Sequence, residues 1–121
     1  MYMLLIDGTL QQGKNNEFLD AWSKHILTLL KKQDGFVDEI LLFEQGKGPG
    51  CVGLSLWNTQ EQCERYYREV FPKAKDFVQH LLDGTPKVRS FEVESSETLG
   101  LLLARLRRRL PSGNEFLLRA G

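Results

Sequence analysis

The sequence predicts an α+β domain of the ferredoxin-like kind, with the element order β-α-β-β-α-β. Three observations predict it. Short runs rich in β-formers alternate with stretches whose apolar residues recur at helical spacing. The two middle runs are separated only by a six-residue Gly/Pro loop, too short for a helix. Turn residues, Asp34-Gly35 and Asp83-Gly84-Thr85-Pro86, close both helical stretches. This order folds into a four-stranded antiparallel sheet with both helices on one face.

Tyr2 to Leu10 reads as the first strand, apolar on both faces until Asp7. After the Gln11–Lys14 turn, Asn15 or Asn16 is placed to cap a helix with its side-chain carbonyl. Phe18, Trp22, Ile26 and Leu29 or Leu30 form its apolar stripe, and it should run to about Gln33. Phe36 to Glu44 is the second strand, Gln45 to Gly50 the hairpin loop, and Cys51 to Trp57 the third strand. Val52, Leu54 and Leu56 share one face of that strand, and Cys51, Gly53, Ser55 and Trp57 the other. Asn58 or Thr59 caps the second helix, with a capping-box-like start. Pro72 falls inside it, which predicts a break near Val70-Phe71. Lys87 to Glu94 is the last strand.

The helices cover one face of the sheet, yet the strands are apolar on both. Such an open face is an aggregation hazard in a monomer, and the simplest cover is a second copy of the chain. The expected assembly is a homodimer with two sheets packed face to face, a dimeric α+β barrel. The domain spans residues 1–96. Residues 97–121 form a separate Leu/Arg-rich tail expected to hold a short amphipathic helix.

Lys plus Arg and Asp plus Glu each number 16, so the whole surface is not built for nucleic acid. Charge is uneven, however: residues 1–96 carry an excess of three acidic groups, and the tail an excess of three arginines. The apolar Met1–Ile6 stretch is too short for a signal peptide or a membrane span. Cys51 and Cys63 lack metal-ligand spacing and suggest a reducing, cytoplasmic setting.

Two local patterns carry a family resemblance. They are Gly53-Leu54-Ser55-Leu56-Trp57 before a Thr/Gln/Glu-rich helix start, and Glu69-Val70-Phe71-Pro72-Lys73-Ala74 in the second helix. Together with the element order and the length, they make residues 1–96 resemble the antibiotic-biosynthesis monooxygenase superfamily. The resemblance implies a dimeric α+β barrel and an oxygenase that needs no cofactor. Its substrate would be a small phenolic or quinol-like molecule in a barrel cavity. The same superfamily contains haem-degrading enzymes. Trp57 resembles their strand-three tryptophan, but Asp7 and Lys75 stand where those enzymes carry an asparagine and an axial histidine. A protonated lysine is no haem ligand, and His80 lies five residues further on.

The candidate catalytic residues are Asp7 and His25. If the Met3, Leu5 and Asp7 face lines a cavity, desolvation raises the Asp7 pKa and suits it to act as a base toward a phenol or enol. The alternative is a strand-end carboxylate in solvent. His25, on the edge of the helical stripe, is either a proton acceptor near neutral pH or an exposed flank residue. The candidate substrate-contacting residues are Trp57, Tyr66, Tyr67 and Trp22. Trp57 would form an aromatic wall or else fill the dimer core. Tyr66 and Tyr67 point about 100° apart, so only one of them reaches the interior. A non-catalytic dimeric ligand-binding or interaction module is the alternative to an enzyme, and the state of the cavity separates the two.

Overall fold

The structure is a computed structural model and describes residues 1–97. Residues 98–121, which hold nearly all of the expected helical tail, lie outside the described residues. Strand β1 (Tyr2–Thr9) is followed by a helix in three parts: α1 (Asn15–Ala21), a π-helical segment (Trp22–Ile26) and α2 (Leu27–Lys31). Strands β2 (Phe36–Phe43) and β3 (Gly50–Trp57) follow, then α3 (Gln60–Glu69), α4 (Phe71–Asp76) and β4 (Lys87–Glu92). The order β2-β3-β1-β4 is antiparallel throughout, the ferredoxin-like arrangement that the sequence predicts. Among the described residues no helix is long and apolar enough to cross a membrane.

Local chemistry accounts for most boundaries. Gly35 adopts φ +83° at the end of the first helix, a conformation that costs glycine little. The Thr59 side chain accepts from the Gln62 backbone N–H at 3.2 Å and starts α3. Pro72 sits in the first turn of α4, where its missing N–H costs nothing, so the helix breaks at Val70 as expected. Two expectations fail. Lys14, not Asn15 or Asn16, is the N-cap of α1, and it makes no capping hydrogen bond through its side chain. The first helix is not uniform either: at Trp22–Ile26 it widens to i→i+5 pairing, which inserts a residue and turns Trp22 and His25 relative to an ideal helix.

Register decides the faces. Tyr2, Leu4, Ile6 and Gly8 of β1 stand opposite Trp57, Ser55, Gly53 and Cys51 of β3, and all eight lie on the helix side. Glu39, Leu41 and Phe43 of β2 join them past an irregularity between Phe36 and Asp38. The core is therefore the helix–sheet interface, where Leu4, Phe18, Ile26, Leu30, Trp57, Cys63, Tyr66, Ala74 and Val78 are buried. The other face carries Met3, Leu5, Val52, Leu54 and Leu56, with Ile40, Leu42 and Phe91 exposed beside them. The sequence reading turned Trp57 toward a cavity between two sheets. Trp57 instead faces the chain's own helices and is 0% exposed.

Candidate functional site

A hollow opens between the helix layer and the sheet, where the π-helical segment faces α4. Gly53 and Ile6 form part of its floor; Phe18, Trp22, Tyr66 and Phe71 supply aromatic walls. Its extent is about 480 Å³ when all space out to the open mouth is counted. As a cavity it measures about 40 Å³, on a scale where one water takes roughly 10–15 Å³, so it holds a few waters. A larger ligand would occupy the open mouth as well.

Trp22 shapes the hollow through two contacts. A Cβ placed at Gly53 would stand 2.9 Å from Trp22 Cη2, so the indole edge lies where only a bare strand leaves room. The Trp22 indole N–H donates to Glu39 Oε2 at 3.0 Å, which sets the ring's rotation. Burial raises the Glu39 pKa above the usual carboxylate value, and the indole hydrogen bond partly opposes this. Phe18 stacks on Trp22 at 5.9 Å and Phe43 meets Phe18 edge-on at 6.2 Å, so the wall is braced from β2.

Tyr66 lines the hollow and is 3% exposed, while its neighbour Tyr67 is 44% exposed and packs on Phe71 outside. Burial pushes the Tyr66 hydroxyl well above the ordinary phenol range, so it remains protonated. Cys51 also lines the hollow, and burial pushes its thiol up to about 12; Cys63, on the buried face of α3, is pushed up to about 11. Neither is a thiolate near neutral pH. Lys75, half-buried, is the charged residue of the lining.

The other candidates stand apart. Asp7 is exposed and pairs with Val52 and Lys87 on the open face, opposite the hollow, so it does not line it. Trp57 is sealed in the core, its indole N–H donating to Ser55 Oγ at 2.9 Å, and does not line the hollow. His25 is exposed and stacks on Phe77, with ring centroids 4.4 Å apart and planes within 4°. Ile26 and Val78, the next residues along, both line the hollow, so this stack bridges the two helices at its rim. His80 is exposed on the turn Gln79–Leu81. Among the described residues no three His, Cys, Asp or Glu side chains gather into a metal-binding group.

Sequence reasoning overlooked Gly53 and assigned Lys75 no part in ligand binding. A glycine in the middle of the strand was the available signal, because it marks a close approach.

No protein-family model matches the sequence, and no curated protein does. Solved structures do match. SnoaB, a cofactor-independent oxygenase from Streptomyces nogalater, is 18% identical with a TM-score of 0.67, over 79% of this chain and 95% of that one. A Bordetella bronchiseptica protein provisionally named an antibiotic biosynthesis monooxygenase is 14% identical with a TM-score of 0.68, over 78% and 97%. NE2512, a protein of unknown function from Nitrosomonas europaea, is 14% identical with a TM-score of 0.66, over 93% and 95%. At these identities the likeness is one of fold.

Proposed function

We propose that this chain, which has the fold of the antibiotic biosynthesis monooxygenase structures, is a cofactor-independent oxygenase of a small electron-rich aromatic. One observation carries the reading: an apolar, aromatic-walled hollow between helices and sheet, open at one end. In such chemistry the substrate supplies the electrons. A phenol or enol loses a proton, and its anion reduces O₂. One oxygen atom enters the product as a carbonyl, two hydrogens leave the substrate carbon, and the other oxygen departs as water. A dry pocket favours each step, because fixed donors then replace mobile water around the anion. Trp22 would stack on the ring, and the Tyr66 hydroxyl would donate to the developing oxyanion. His25 at the rim would take up the proton by way of solvent.

The same geometry supports a second reading, a ligand-binding module without catalysis. Among the described residues that line the hollow there is no carboxylate and no imidazole to act as a base within it. Oxygen consumption separates the two. With anthrones, naphthols and hydroquinones as substrates, uptake above the protein-free rate is expected, and Trp22→Ala should lower it at least tenfold. Asp7→Asn should leave it unchanged, because that carboxylate lies on the far face. Binding of these compounds without oxygen uptake would establish the module.

The open face supports a homodimer. Its apolar residues run across all four strands, and a second sheet packed at the usual spacing of about 10 Å would cover them. In that assembly the two hollows lie on the outer sides of the paired sheets, not between them.

A further inference from the structure

The polar groups of the hollow share one chemical character. Tyr66 is 3% exposed, and among the described residues its hydroxyl has no hydrogen-bond partner. Nor is it one of the fully sealed unpartnered atoms, which are Asn58 Oδ1 and Gln62 Oε1. It therefore keeps a small opening, and Tyr66 borders the hollow. Lys75 borders the same hollow from α4, with no carboxylate within 4.0 Å among the described residues. Lys14 and Lys24, on the first helix, are by contrast paired with Glu17 and Asp20. A nearly enclosed hydroxyl with no protein partner is free to donate to an acceptor that a ligand supplies. A lysine that borders an apolar space with its stem can swing its ammonium toward a negative group bound there.

We propose that the hollow binds a flat aromatic molecule through an oxyanion held jointly by the Tyr66 hydroxyl and the Lys75 ammonium. The ring lies against Trp22 and Phe71, and the oxyanion points toward the α3–α4 side. This rests on the reading that the hollow is the functional site, but it does not require that oxygen chemistry occurs there. Burial holds Tyr66 protonated, so it donates rather than repels. The oxyanion is either a carboxylate or a phenolate, and both satisfy the same two donors.

Calorimetric titration of the full chain with 2-naphthoate, its neutral analogue 2-naphthylmethanol, and 2-naphthol tests this. The naphthoate should bind about tenfold more tightly than the alcohol, since a charge-assisted hydrogen bond is about twice as strong as a neutral one. Lys75→Met should erase that preference while leaving the alcohol's affinity unchanged, and Lys75→Arg should keep it. Tyr66→Phe should weaken the naphthoate severalfold. A red-shifted naphtholate absorbance on binding 2-naphthol would extend the site to phenolates; naphthoate binding without that band would make the oxyanion a carboxylate. Equal affinity for naphthoate and alcohol, or a preference that survives Lys75→Met, overturns the proposal and leaves the hollow as a neutral-ligand site. If the wild-type chain binds none of the three, the hollow is not a ligand site, and the reading beneath the proposal fails with it.

Discussion

Trp57→Ala is expected to destabilise the domain by about 3–5 kcal/mol, the usual cost of removing a large aromatic from a core. Trp57 is 0% exposed. Its ring meets Phe36 edge-on at 5.7 Å and lies at 30° to Tyr66 at 5.0 Å, so it joins β2, β3 and α3 at one point. Its N–H also satisfies Ser55, the buried polar residue of the sheet. Deletion would leave a void and an unpaired hydroxyl together. Domains of this size hold only about 5–15 kcal/mol in total, so the variant should melt roughly 10–40 °C lower, or fail to fold. Trp57→Phe keeps most of the volume and should lose less than half as much. Calorimetric melting of the three proteins checks this. A shift of only a few degrees for the alanine variant would mean that Trp57 is not packed as described.

The second large effect is on assembly. Leu54 lies in the middle of the open face, opposite Leu5 on one side and Ile40 on the other. If two copies pair through this face, a lysine at position 54 would bury two unpaired charges close together, at a cost of several kcal/mol. Leu54→Lys should then sediment as a single chain of 13.9 kDa, while the unmodified protein sediments at twice that mass. The variant should still melt cooperatively, because Leu54 points away from the helix–sheet core. A monomeric wild-type protein, or a variant that remains dimeric, would remove the sheet-to-sheet pairing.

Much of the fold was legible because local signals agreed with one another. Pro72 could only break a helix or begin one, and it begins α4. Gly35 and the Gln45–Gly50 loop marked reversals that the backbone adopts. The strands fell within two residues of where alternation placed them. Alternation, however, separates two faces without saying which one the helices cover. On β3 the odd positions carry Cys51, Gly53 and Ser55, small residues that looked less like a core than Val52, Leu54 and Leu56. Gly53 is bare because Trp22 descends from the helix layer onto it. That complementarity links residues 31 positions apart and leaves no periodic trace. Choosing the wrong face for Trp57 moved it into a cavity between two sheets, whereas it lies on the helix side, opposite Tyr2. The π-helical turn was equally hidden, since Trp22–Ile26 contains neither glycine nor proline. Tyr66 and Tyr67 were separable only by contact: the first meets Trp57, the second meets Phe71 at the surface.

On the proposed reading ligands enter between the helices and the sheet, and amide chemical-shift mapping with 2-naphthoate locates that entry. Perturbations should cluster at Ile26, Gly53, Tyr66, Ala74, Lys75 and Val78, which border the hollow. Shifts confined to Met3, Leu5, Leu54 and Phe91 would place binding on the open face and rule out the hollow as the ligand site.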